Sequence, residues 1–346
     1  MTLVGHLHYR IDPHKAKLVY AYAAVAKAEG IDYVYFTPRR INVNNRTVTG
    51  FMYNNGAWSE TQTRLPDAVI NEATRTEKFW PAVEFLQRRV PFTSHPIGDK
   101  LSVYNRIYRG KKFREYLIPS AEITRASKDL PNFLQRYHRV ILKPLSGSKG
   151  QGITMIQKDE DDKYRIVENG ITNSVSFQGL LHLVEERQRA EPQLLQKYIS
   201  CFTKNGDPYD FRLHVQKNGS GRWVIPAVYC RVARAGNITS NLSSGGFSSF
   251  TETFLQHEFG DQSYNMKCYL EQLGLQLAVH LDEIYQESFD ELGIDIGIDE
   301  IRKAWIYEVN WKPGPPPNFY LELDIPRNAL RYAVHLANRK ERQVST

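Results

Sequence analysis

Cysteine is scarce in this chain of 346 residues: Cys201, Cys230 and Cys268 are the whole complement. An odd count without metal-type spacing argues against a disulfide framework or a zinc module, and for idle thiols in a reducing compartment. No stretch approaches the roughly 18 consecutive apolar residues that a spanning helix needs. Residues 1–10 carry no apolar signal-peptide core, so cytoplasmic residence is the expectation. Tandem repeats and low-complexity tracts are absent, which excludes solenoids and disordered arrays. The net charge of +7 is modest for 40.0 kDa. Lys and Arg are spread along the chain, and no nucleic-acid module signature is present. Small anions are therefore the expected partners, and nucleic acid is not.

What is there is a two-part α/β pattern. Leu3–Leu7 reads as a strand, His14–Glu29 as an amphipathic helix stopped by Gly30, and Ile31–Phe36 as a second strand. Strand, helix, strand suggests a parallel sheet. Residues 41–64 are polar and read as a hairpin around Asn54-Asn55-Gly56. Ala68–Asn71, a helix over Thr76–Arg89, and Phe92–Ser94 continue the alternation. No glycine fingerprint follows the first strand, so residues 1–93 form a small α/β layer without a dinucleotide site. Beyond it, Gly98–Ile107 opens a helix with Lys100 in its first turn, where backbone donors attract anions. A solvated surface lysine has the same pattern. Ile118–Thr124 is a strand and Ser127–Tyr137 a helix.

Val140–Pro144, then Leu145–Gly152, then Ile153–Ile156 is strand, glycine-rich loop, strand. Glycines at 147, 150 and 152 let backbone N–H groups turn towards phosphate oxygens, and Lys143 stands just before them. No Gly-Lys-Ser/Thr follows and no helix opens, which excludes a Walker A loop. A strand rather than a helix comes next, which excludes a Rossmann turn. Many hairpin turns share the glycine spacing. Phe177–Arg189 reads as a helix. Gln193–Ile199 then reads as an amphipathic strand whose edge backbone suits an adenine. In Pro208–Gln216, Asp210, Arg212 and His214 share one face and need a wet or anionic neighbour. Arg231 ends the strand Trp223–Val232, ahead of a loop of small polar residues, Asn241–Gly246. Ser263–Ser288 is a helix with a core stripe through Leu270, Leu273, Leu277, Leu281 and Ile284. His257 and His280 have no ligand-like companions and read as structural. A last helix covers roughly 324–340.

The chain is organised around Gly293–Gly314. Two short strands, 294–298 and 304–309, flank a charged turn. Glu308 and Asn310 point the same way because the strand period is two, and Asp295 stands level with them on the partner strand. Two carboxylates and an amide oxygen make a hard oxygen site of the kind Mg²⁺ takes, with phosphates and water completing it. An ordinary hairpin with a polar wet face has the same pattern.

The order of these pieces resembles the ATP-grasp superfamily from about Phe92 to about Asn338. Glu308 lies thirteen positions after Asp295, and Asn310 then precedes a Pro-Gly pair; this is similar to the D-alanine–D-alanine ligases. Arg231, Asn241 and Gly245-Gly246 resemble the peptide- and glutamate-ligating branch. Leu65–Arg75 and Gly98-Asp99-Lys100 resemble the YheC/YheD group, named for endospore coat association. The resemblance implies an α+β ATP-grasp fold, two subdomains clamping Mg-ATP, preceded by a small α/β domain over 1–93. The ATP-grasp domain is then 94–346, with a lid subdomain at about 118–195 and a metal and catalytic subdomain at about 196–346.

Residue by residue, Lys100 and Lys143 resemble the two phosphate lysines, and Ser146, Gly147, Ser148, Gly150 and Gly152 the flap. Gln196, Lys197, Tyr198 and Ile199 resemble the adenine hinge. Asp295, Glu308 and Asn310 resemble the ligands of Mg²⁺, which Mn²⁺ would also satisfy. Arg231 and Gly246 stand where the family stabilises the transferring phosphoryl group, with Arg212 beside them. Gln196 replaces a common Glu, Asp207 is the candidate ribose carboxylate, and Trp311 and Lys312 after Asn310 are unusual. The implied activity is ATP-dependent ligation of a carboxylate to an amine through an acyl-phosphate. A nucleotide-binding spore-coat protein without turnover and a kinase on the same fold are the rivals. A homodimer is the default oligomer, and coat association is the family's implication for location.

Overall fold

Three β-sheets built from successive stretches of chain carry the structure. The computed structural model describes residues 1–16, 18–73, 79–146, 151–159, 163–233, 246–316 and 323–344. The expected helix start at Thr76, the flap residues Gly147, Ser148 and Gly150, and Asn241 and Gly245 lie outside them.

In the first sheet, β1 (Leu3–Leu7) lies parallel between β2 (Asp32–Phe36) and β6 (Ala68–Asn71). β1 and β6 are buried throughout, as parallel strands covered on both faces must be. The helix α1 runs over Val19–Ala28 rather than from His14. Leu18 has a φ of +62°, a left-handed break after a 3₁₀ turn at Pro13–Lys15, so no continuous helix can pass it. β3 (Ile41–Asn42), β4 (Thr47–Asn54) and β5 (Ala57–Arg64) extend the sheet. The turn between β4 and β5 places Asn55 and Gly56 at φ values of +49° and +82°, the paired left-handed geometry of a tight hairpin. α2 (Trp80–Gln87) covers one face. The other face is closed from the far end of the chain. α8 (Asp324–Val344) sets Ala329, Leu330, Ala333 and Ala337 against Val4, Tyr22 and Ile70.

α3 (Lys100–Arg109) follows, capped by Asp99, whose carboxylate accepts from Ser102 N–H at 2.8 Å. The second sheet has the order β11-β10-β9-β8-β12-β7. Its strands are β7 (Ser120–Glu122), β8 (Arg139–Pro144), β9 (Thr154–Lys158), β10 (Tyr164–Glu168), β11 (Ile171–Val175) and β12 (Gln193–Lys197). α4 (Ala126–Tyr137) and α5 (Phe177–Ala190) bury Leu130, Leu134, Leu180 and Val184 against its face. β8 and β9 pair antiparallel across the glycine-rich segment, as expected. β12 corrects one expectation. It is an interior strand, paired with β8 on one side and β7 on the other, so its edge is not open. The backbone leaves the sheet only beyond Lys197.

The third sheet has the order β15-β14-β13-β16-β17. It comprises β13 (Tyr209–Lys217), β14 (Trp223–Val232), β15 (Phe247–Phe250), β16 (Glu291–Ile298) and β17 (Ala304–Trp311). β16 begins three residues earlier than the pattern of apolar residues indicated, so Asp295 lies in mid-strand. After α6 (Thr251–Phe259), α7 (Ser263–Tyr285) packs the expected Leu270, Leu273, Leu277 and Leu281 on Phe211, Leu213, Ile294 and Ile296. The approach is close at Gly274, where an added Cβ would stand 2.6 Å from Leu213 Cδ2. None of the described helices is long and apolar enough to cross a membrane.

Because α8 completes the first core, Leu330→Ala is expected to cost about 2–5 kcal/mol of stability, the range for emptying a fully buried leucine site. The urea midpoint of the variant, at an unchanged slope, checks it.

Candidate functional site

Alternation along β13 puts Phe211, Leu213 and Val215 into the core and Asp210, Arg212 and His214 on the opposite face. Each of the three meets an ionisable partner on a neighbouring strand. Asp210 stands opposite Arg231 in the β13–β14 register, and Arg231 donates to it from Nε and Nη2, both at 2.6 Å. Arg212 stands opposite Asp295 in the β13–β16 register and grips it in a two-pronged pair, with Nη2 at 2.8 Å from Oδ2. Arg231 Nη2 also lies 3.1 Å from Asp295 Oδ2. His214 Nε2 is 2.8 Å from Glu291 Oε1. The neighbours of Arg212 and His214 are therefore buried carboxylates, and that of Asp210 is a buried arginine.

Asp295 is directly opposite Glu308 in the β16–β17 register, and Asn310 is opposite Gly293. A bulge follows immediately, pairing Ile296 with Ile306 and leaving Tyr307 over. Tyr307 donates from its hydroxyl to Cys201 Sγ at 3.0 Å. Burial by itself would raise the Asp295 carboxyl, but Arg212 and Arg231 outweigh it and hold it below the ordinary carboxylate range. Glu308 shifts the other way. Burial and then the Asp295 charge push it up, against Lys100 and Lys143. Among the described residues neither Glu308 nor Asn310 makes a side-chain hydrogen bond.

Across the cleft, Lys143 is buried near the end of β8 and donates from Nζ to Gln196 Oε1 at 2.9 Å; Gln196 donates on to Ser120 Oγ at 3.0 Å. Burial lowers the Lys143 pKa to about 8, against the pull of Glu308. One cavity between the second and third sheets is lined by Lys143, Gln196, Lys197, Tyr198, Ile199, Arg231, Asp295 and Glu308. Lys100, at the start of α3, joins Lys143, Gln196 and Glu308 around an adjoining cavity. Ile118, Ile141, Ile153 and Tyr209 supply apolar walls beside the backbone of 197–199. Gly152 has a φ of +69° and accepts at its carbonyl from Arg187, while Ser146 donates to Glu191 at 2.7 Å. Gly246 precedes β15, whose Ser248 stands opposite Arg231. Arg212 reaches the cleft only through Asp295. Asp207 closes a turn with Thr203 and is not among the cleft's lining residues.

Sequence reasoning missed a second polar cluster next to this cleft. Lys312 donates to Asp290 Oδ2 at 2.8 Å and Glu291 Oε2 at 3.3 Å. Glu72 lies 3.3 Å from His6 Nε2 and 3.8 Å from His8 Nε2. The available signals were two histidines at the end of an apolar strand and an acidic pair opening a wholly buried one.

A lobe with a strand–loop–strand, facing a lobe with a carboxylate hairpin and two lysines between them, defines an ATP-grasp protein. The chain belongs to the YheC/D like ATP-grasp family, whose model matches residues 89–336. It is similar to the endospore coat-associated protein YheD of Bacillus subtilis (strain 168), at 24% identity over 88% of this chain and 70% of that one. It is similar to the endospore coat-associated protein YheC of the same organism, at 25% identity over 87% of this chain and 86% of that one. Among solved structures, N5-carboxyaminoimidazole synthetase from Staphylococcus aureus matches with a TM-score of 0.56 at 11% identity, over 96% of this chain and 77% of that one. That likeness shows the fold.

Lys143 generates a pH prediction. Anion binding favours the protonated lysine, which is the main form below about pH 8 in the free protein and is lost as the pH rises through that value. Affinity for Mg-ATP is expected to weaken from pH 7 to 9, by up to about tenfold per pH unit above the midpoint. Lys143→Arg, always charged, is expected to flatten the profile. Calorimetric titration across that range reads both.

Proposed function

We propose that this protein is an ATP-dependent carboxylate–amine ligase that works through an acyl-phosphate. The observation that supports it best is the meeting of Lys100, Lys143, Arg231, Asp295 and Glu308 around one cleft between two lobes. On this reading the chain divides near residue 93 into an α/β domain and an ATP-grasp domain. Lys100 and Lys143 hold the phosphate chain of ATP. The backbone of 197–199 and the apolar wall take the adenine.

Arg231 commits Nε and Nη2 to carboxylates, and its Nη1 has no hydrogen-bond partner among the described residues. That group is fixed in place and available to the transferring phosphoryl. Donors positioned before the reaction are worth about 10²–10³ in rate each. Gly246, just before β15, would add its backbone N–H to the same task. Asp295 and Arg212 position Arg231.

The hard oxygen donors of Glu308 and Asn310 fit Mg²⁺. Asp295 and Glu308 stand opposite each other across β16 and β17, and a cation between them would offset their mutual repulsion. Among the described residues no three Asp, Glu, His or Cys side chains form a metal cage, so phosphates and water would complete the shell. Bound there, Mg²⁺ would neutralise charge on the phosphates. Closure of the 146–152 segment would exclude water from the acyl-phosphate before an amine attacks it. The names of YheD and YheC support a second reading, of location: association with the endospore coat.

Thermal unfolding tests the nucleotide site. Mg-ATP at a hundredfold excess over Kd is expected to stabilise by about 2.7 kcal/mol, a shift of several degrees. EDTA and Glu308→Gln are each expected to remove most of it. Release of ADP that requires both a carboxylate and an amine would then separate ligase from kinase. A midpoint indifferent to Mg-ATP would sink the proposal.

A further inference from the structure

A second cavity, of about 500 Å³, lies where the first sheet meets the third. His8, Tyr9, Arg10, Glu72, Trp311 and Lys312 are among its walls. Its place follows from topology. The chain goes from β1 to β2 on one side and later returns to β6 on the other, so strand order reverses between β1 and β6. In open parallel sheets the crevice beyond the carboxyl ends at such a reversal is where ligands bind. Glu72 is the first residue past β6 and His8 the first past β1, and Glu72 N–H donates to Leu7 O at 2.9 Å. The opposite wall begins one residue after Asn310, at Trp311, whose indole donates to Ser94 Oγ at 2.7 Å. The cavity therefore adjoins the same strand end that carries the carboxylate hairpin.

The charges in it fall into two groups. Lys312 is already held between Asp290 and Glu291. Glu72 has two imidazoles as its near partners and no Lys or Arg within ion-pair distance among the described residues. His8 is uncharged at neutral pH, because burial and then His6 lower its pKa to about 4. Glu72 is ionised: burial would raise it, but His6 first and then Lys312 outweigh that and bring it to about 2. A quarter of its side chain, 26%, stays exposed, so it is reachable. An ionised carboxylate in a largely buried crevice is stabilised by a cation. Arg10, an exposed guanidinium in the same wall, suits a carboxylate at the other end of the same ligand.

We propose that this cavity binds the amine-bearing substrate, with a primary ammonium group on Glu72; the assignment rests on the ligase reading above. Amino acids and short peptides, which carry a carboxylate for Arg10, suit it best, and simple diamines bind more weakly. The test is thermal unfolding of the full chain titrated with L-alanine, L-alanyl-L-alanine, putrescine and, as the amine-free control, succinate. Each titration is run with and without Mg-ATP. The amine probes are expected to raise the midpoint and succinate to leave it unchanged. Glu72→Gln is expected to weaken the amine response at least tenfold, while Glu72→Asp, which keeps the charge, retains it. The Mg-ATP shift is expected to persist in both variants, which also reports that they fold. Succinate acting as well as the amines, an amine response equal in Glu72→Gln, or no response to any amine would each overturn the assignment. Loss of the Mg-ATP shift alone would count against the nucleotide site and leave the Glu72 comparison to decide this one.

Discussion

Four charges in a row, the buried Asp210, Arg231 and Asp295 and the partly buried Arg212, tie β14, β13 and β16 together from the cleft side. Each charge in the row would be costly to bury alone, and each is tolerable because its neighbours satisfy it. The arrangement also fixes register. A slip of one residue between β13 and either neighbour would turn these groups into the apolar core under α7 and turn Phe211 and Leu213 out. The positions of Glu308 and Asn310 on β17 depend in turn on β16 being held this way. The site's geometry is thus set by electrostatic matching between strands rather than by loops.

The same principle joins the first sheet to the third. Thr93 donates to Asp290 Oδ2 at 2.5 Å, Trp311 to Ser94, and Lys312 to the acidic pair that opens β16. The bonds of Thr93 and Trp311 cross roughly two hundred residues of sequence, while that of Lys312 stays within the third sheet. They hold the polar cavity of the first sheet in fixed relation to the carboxylate hairpin. Lys312 has a φ of +51°, so its side chain is directed by a backbone conformation that a β-branched residue would resist.

Much of this was legible in the sequence. The period-two alternation of Pro208–Gln216 and of 304–309 placed Asp210, Arg212 and Glu308 on the correct faces, because a strand with one buried face leaves no other choice. The leucine stripe of α7 was equally plain. Three things were not legible. The interior position of β12 depends on which strands flank it, and residues 120–122 pair with it from more than seventy residues away. The Arg212–Asp295 and Arg231–Asp210 pairs are long-range matches that no local pattern announces. Glu72 and His8 become one cluster only when parallel strands bring their carboxyl ends side by side.

The packing of α8 on the first sheet has a consequence for the order of events in synthesis. β1, β2 and β6 leave the ribosome early, yet one apolar face of their sheet is covered by Ala329, Leu330, Ala333 and Ala337. At about 5–20 residues per second, that face waits on the order of ten to fifty seconds for its cover. Through that interval Val4, Tyr22 and Ile70 belong to an open, sticky layer, while the second sheet, whose strands and helices are contiguous in the chain, can already close. The first sheet is therefore made before the helix that covers it, and its core closes only once α8 has emerged.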